Sequence, residues 1–124
     1  MTTDTVMTFS LRRDANRSAE QIRELVEKAL GCRLQRGTMI GLPALVGEVL
    51  GVQVGLIRWR SVGGAYVYQL HGIPHKDALQ TGKWREIAID QAIIDLLKRH
   101  GAEGWRVPSP EELKAEGNYD VEDT

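Results

Sequence analysis

His71, His75 and Asp77 stand close together in "HGIPHKD", and Cys32 is the one thiol of the chain. Two imidazoles and a carboxylate are metal-ligand chemistry. Their spacing, however, crosses Gly72 and Pro74, so neither a strand nor a helix period turns all three to one side. It matches no zinc pattern. Cys32 with a distant histidine would make a nucleophile–base pair. Yet Cys32 follows Gly31, a helix C-cap, and the negative end of a helix dipole disfavours a thiolate. Gly47, Gly51, Gly55, Gly63 and Gly64 match neither a phosphate loop nor a dinucleotide fingerprint. The sequence therefore predicts no catalytic residues, no metal site, no cofactor and no enzyme activity.

A different chemistry is offered by "GVQVGLIRWRSVGGAYVYQLHG", residues 51–72. It interleaves Arg58, Trp59 and Arg60 with Tyr66 and Tyr68 across a Gly-Gly turn. Aromatic rings beside arginines on strands can stack single-stranded RNA. The residues do not spell the RNA-recognition signature, and no second stacking motif lies upstream. Strand parity sets Arg58 and Arg60 on one face and Trp59 on the other, in or near the core.

Charge sharpens the partner question. The 124 residues carry 16 Lys/Arg and 17 Asp/Glu, net −1, which argues against bulk nucleic acid as the partner. Residues 1–60 hold nine bases and six acids, net +3; residues 102–124 hold two bases and seven acids, net −5. The acidic end reads as a solvated face or as a docking surface for a basic partner. In the docking reading the contact residues are Glu111, Glu112, Glu116 and Asp120, with Trp105 and Tyr119 as aromatic anchors and Arg58 and Arg60 on the sheet. A lone cysteine and an N-terminus without a signal-peptide pattern fit the cytoplasm. "TMIGLPALVGEVLGVQVGLI", residues 38–57, is long and apolar, but Glu48, Gln53 and Pro43 interrupt it. It reads as buried strands rather than a membrane span.

These residues need elements to position them. "TVMTFSLRR" reads as a first strand. "SAEQIRELVEKALG" reads as an amphipathic helix with a Ser18/Gln21 capping box and Gly31 as its stop. Residues 32–43 are turn-rich, with a short extended piece around Thr38–Ile40. "ALVGEVL", "VQVGLIRWR" and "AYVYQLH" read as strands joined by turns at Leu50-Gly51 and "SVGG". The apolar parity of the middle strand changes partway, so it has either a bulge at Gly55 or two buried faces. "WREIAIDQAIIDLLKRH", residues 84–100, reads as a second long helix. Its Ile87 and Ile94 fall outside the main stripe, a surface for the C-terminal segment or for a second copy of the chain. "SPEELKAEG" begins a short last helix; "NYDVEDT" has no periodic signal. The expected architecture is one α+β domain: an antiparallel meander of about four strands, two long helices mainly on one face, and a short C-terminal helix. Its core spans about residues 5–108, with an acidic helix and tail over 109–124.

Across roughly residues 6–108, the run "LVEKALGCRL … ALVGEVLGVQVGLIRWR … YVYQLHG", then a helix and "GWRVP", resembles the small immunity proteins of bacterial polymorphic toxin systems. The resemblance implies a cytoplasmic protein that binds and neutralises one cognate toxin. It carries over no binding residue. The alternative from the residues themselves is a small nucleic-acid- or ligand-binding α+β domain.

Overall fold

Strand β1 spans Asp4–Asp14 and helix α1 Ala19–Leu30. In this computed structural model residues 4–74 and 84–122 are described. Helix α1 starts where its sequence says. Ser18 Oγ accepts from Gln21 N–H at 3.2 Å, and Gln21 Oε1 accepts from Ser18 N–H at 3.2 Å. That satisfies two of the helix's orphan donors. Gly31 ends it at φ 68°, a conformation open to glycine without a Cβ clash. Ile22, Val26 and Ala29, one stripe of the helix, are its buried residues.

The strands that follow are β2 (Gln35–Met39), β3 (Leu42–Val49), β4 (Val52–Arg60) and β5 (Tyr66–Pro74). Then come β6 (Trp84–Ala88), α2 (Asp90–Arg99), α3 (Pro110–Glu116) and β7 (Asp120–Glu122). The sheet order is β2-β3-β4-β5-β1-β6, with β7 also on β4. Every pairing is antiparallel except β1 with β6.

Strand β4 explains its own parity change. It pairs residue for residue with β5, from Val52↔Pro74 to Arg60↔Tyr66, without a bulge. Both of its faces are buried instead. Val52, Val54 and Leu56 join the main core with Phe9, Leu11, Tyr68 and Leu70 and with residues of α1 and α2. Ile57 is fully buried on the opposite face, in a second cluster with Met39 and Ala44, against which Trp59 and Val121 pack. Gly55 makes room there: a Cβ on it would overlap Met39 Sδ. Such close approach is a reason for glycine inside a strand.

β5 takes one edge of β4 along its whole length, while β3 pairs only with Val52–Leu56 on the other. Continued, that register would oppose Pro43 to Arg58, and proline has no N–H to donate. β7 fills the vacated stretch, Arg58↔Glu122 to Arg60↔Asp120.

The expected meander of about four strands with two long helices is corrected here to a seven-stranded, mostly antiparallel sheet with three helices. Residues 84–88 are not the start of the second helix. They pair in parallel with Asp4–Thr8. Helix α2 is therefore only ten residues long. Ile87 lies on a strand, so it and Ile94 share no helical face. Strands β2, β6 and β7 are short and sit at edges, where no alternating burial pattern marks them. Segment 38–57 supplies the end of β2, all of β3 and most of β4, and among the described residues no helix is long and apolar enough to cross a membrane.

Candidate functional site

Arg58 and Tyr68 are directly paired on β4 and β5, and Tyr68 is in turn paired with Arg13 on β1. Directly opposed residues share a face. One row thus carries two guanidiniums and a phenol on the helix side of the sheet. Arg60 and Tyr66 form the next pair on that face. Arg58 stacks on Tyr66, its Cζ 3.8 Å from the ring centroid, a cation–π arrangement. Its Nε is buried and has no hydrogen-bond partner. Burial pushes the Tyr68 phenol up, with the Arg58 charge opposing.

Next to this row a cleft of about 450 Å³ opens between α1 and the sheet. Leu45, Leu56 and Tyr68 lie under it; Arg23 with Glu20 from α1 and Arg36 from β2 stand at its sides. The cleft has a fixed wall. Arg23 Nη2 donates to Leu34 O at 2.7 Å, Leu34 N–H donates to Glu27 Oε2 at 2.8 Å, and Leu34 is fully buried. Arg23 and Glu27, one helical turn apart and 3.7 Å from each other, therefore hold both backbone polar groups of one residue, Leu34, and fix the α1–β2 connection. Arg36 is exposed, and among the described residues it makes no ion pair.

The opposite face holds a polar chain. Trp59 Nε1 donates to Gln69 Oε1 at 2.9 Å, and Gln69 Nε2 donates to Ser10 Oγ at 3.3 Å. Arg12 Nη1 donates to the same oxygen at 2.9 Å. Arg12 also clamps Glu116 with two bonds, Nε to Oε2 at 2.6 Å and Nη2 to Oε1 at 2.9 Å. Gln69 and Arg12 are almost fully buried. Ser10 Oγ serves as the acceptor for two donors here, and its link to His71 runs through Gln69, so the arrangement fastens α3 to the sheet.

His71 lies at this face, its Nδ1 3.4 Å from Gln69 Nε2. Burial, then the charge of Arg12, holds its imidazole below the usual range. The sign follows. Where the folded value lies below the unfolded one, the unfolded chain takes the proton first, so stability is lost as pH falls through the unfolded value. Between about pH 7.5 and about pH 5.5 the protein is expected to lose urea resistance that a His71→Gln variant does not lose. Equal pH dependence of the two urea midpoints would count against this. His75 and Asp77 lie outside the described residues. Among the described residues no group of three or more His, Cys, Asp or Glu is placed to hold a metal. Burial and the nearby Glu27 push the half-buried Cys32 thiol up, which disfavours the thiolate.

Of the residues expected to meet a partner, the β4–β7 pairing brings Arg58 and Arg60 beside Asp120, while others are engaged within the fold. Trp105 is 6% exposed and part of the main core. Glu116 is spent on Arg12. Glu112 binds Arg106 at 2.7 Å, and that guanidinium holds its carboxyl below the usual range. Arg60 reaches Glu122 at 3.9 Å. Tyr119 is half-buried, and Glu111 and Asp120 remain exposed. Much of the acidic end is thus neutralised within the molecule. Sequence reasoning missed Arg23 and Arg36 as neighbours in a cleft, because β2 has no strand-like pattern to place Arg36. No family model matches the chain, and no curated protein or solved structure matches it either.

Proposed function

We propose that this protein binds a cognate bacterial toxin and neutralises it by non-covalent occlusion, the role that its resemblance to immunity proteins implies. The observation that carries the reading is the cleft between α1 and the sheet, with the exposed Arg36 at its side and Arg58, stacked on Tyr66, in the row next to it. An arginine beside a concavity is among the side chains enriched at binding hot spots. The cleft's walls are held by hydrogen bonds within the fold, so little ordering cost opposes association.

A nucleic-acid-binding role would draw on the same arginines. On this row Arg58 covers one face of Tyr66 and Tyr68 is 2% exposed, which leaves little ring surface there for base stacking. Co-expression with any toxin domain encoded beside it tests the leading reading. The pair is expected to co-purify, and the toxin's activity is expected to fall on adding the protein. A neighbouring toxin that neither binds nor is inhibited would sink it.

A further inference from the structure

We infer that the open end of the main core is a contact surface for a second copy of this chain, with Leu50 of each copy seated in an apolar hollow of the other. The hollow, of about 200 Å³, lies between α1, α2 and the sheet. Phe9, Val52 and Val54 line it from the sheet, Leu30 from α1, and Ile93 and Leu96 from α2. All of its lining residues among those described are apolar. A water there would find no polar side chain to bond, so the space favours an apolar group. Small-molecule sites carry a few polar groups that orient the ligand. This hollow has none, which suits an aliphatic side chain better than a free metabolite. Leu50 supplies such a side chain at its rim. It sits at the tip of the β3–β4 turn, 92% exposed, with φ 49°. That conformation is strained for a bulky residue, and the turn alone favours asparagine or glycine. At such exposure Leu50 buries almost nothing in its own chain, so the fold itself gives no reason for a leucine. Met7 and Ile87 extend the apolar surface: they oppose each other across β1 and β6, and both are nearly half exposed. Exposed large apolar side chains gathered around an apolar hollow mark a contact surface, where scattered single ones do not. A knob and a hole side by side on one face are self-complementary. A two-fold axis between them sets each Leu50 over the other copy's hollow. The net charge of −1 puts little repulsion between two copies.

Such a surface is smaller than the roughly 800 Å² each partner gives to a standard interface, so the dimer is expected to dissociate at about 10–100 µM. Sedimentation velocity of the whole chain, from well below that range to well above it, is expected to show monomer passing into dimer. Leu50→Asn is expected to weaken the dimer about tenfold or more. At a dilution where the wild type is monomeric, this variant is expected to melt no lower than the wild type, because asparagine suits the turn. In a mixture of isotope-labelled and unlabelled chains, cross-copy magnetisation transfer between the methyls of Leu50 and Leu96 is expected. A chain that stays monomeric throughout overturns the inference, and so does a dimer that Leu50→Asn leaves intact. Two arms identify another occupant. Benzene moving the Leu96 methyl resonances of a chain that never dimerises would make the hollow a small-ligand site. A toxin complex lost on Leu50→Asn, again with no dimer, would give the surface to the toxin. Either result overturns the inference. A dimer that Leu50→Asn dissociates, with no toxin bound by any form, upholds this surface while the inhibitor reading fails.

Discussion

Replacing Glu116 by alanine is expected to lower the unfolding free energy by about 3–5 kcal/mol, the usual cost of stripping one partner from a buried ion pair. Arg12 and Glu116 have side chains only 5% and 11% exposed, and two bonds join them. Without Glu116 the Arg12 guanidinium would stay in the sheet's second face with only Ser10 Oγ and the Leu11 carbonyl as acceptors. The loss also unpins α3, which has no buried residue of its own. β7, which follows it, has only three residues on β4 to hold it. Amide exchange should therefore quicken first in Asp120–Glu122 and at the Arg58–Arg60 edge. The double change Arg12→Met with Glu116→Leu is expected to recover most of the stability, because apolar residues can replace a buried pair at little net cost. Urea unfolding of the wild type and the two variants decides it. A loss under about 1 kcal/mol for Glu116→Ala would mean that the pair is effectively solvated.

The second large effect belongs to Phe9. It is 4% exposed, opposes Gly72 across the β1–β5 pairing, and its ring covers that glycine so closely that a Cβ there would collide with it. Phe9→Ala is expected to cost about 3–5 kcal/mol, from lost burial and the cavity left behind. Gly72→Val alone is expected to cost about 1–3 kcal/mol by overpacking against the ring. Together they should cost clearly less than the sum, since the new valine fills space that the ring vacates. Strict additivity in denaturant melts would show that the two residues do not share that space.

How much of this was legible beforehand differs from residue to residue. The Ser18/Gln21 box, the Ile22–Val26–Ala29 stripe and Gly31 are local signals, and α1 follows them. The Leu50-Gly51 turn is equally local. Both residues take positive φ, 49° and 80°, the pattern of a tight hairpin turn, although Leu50 is 92% exposed and apolar. Strand parity sets Trp59 opposite Arg58 and Arg60, and it donates to Gln69 on the face away from α1 and α2. Residues 84–88 misled because "WREIA" runs into a helical stripe without a breaker. Only the distant Asp4–Thr8 segment makes it a strand. The acidic end looked like one surface because charge along a sequence does not show which carboxylate meets which guanidinium.

The sequence by itself determined the α+β class, the first helix and its caps, the central hairpin and the parity of its arginines. All of these rest on propensity, capping and period over a few residues, which act within one element. The tertiary structure decided the seven-strand count, the two buried faces of β4, the burial of Trp105, the spending of Glu112 and Glu116, and the cleft where Arg23 and Arg36 meet. Each of those depends on contacts between residues far apart in the chain. Their energy comes from burial and pairing that exist only once the sheet has closed.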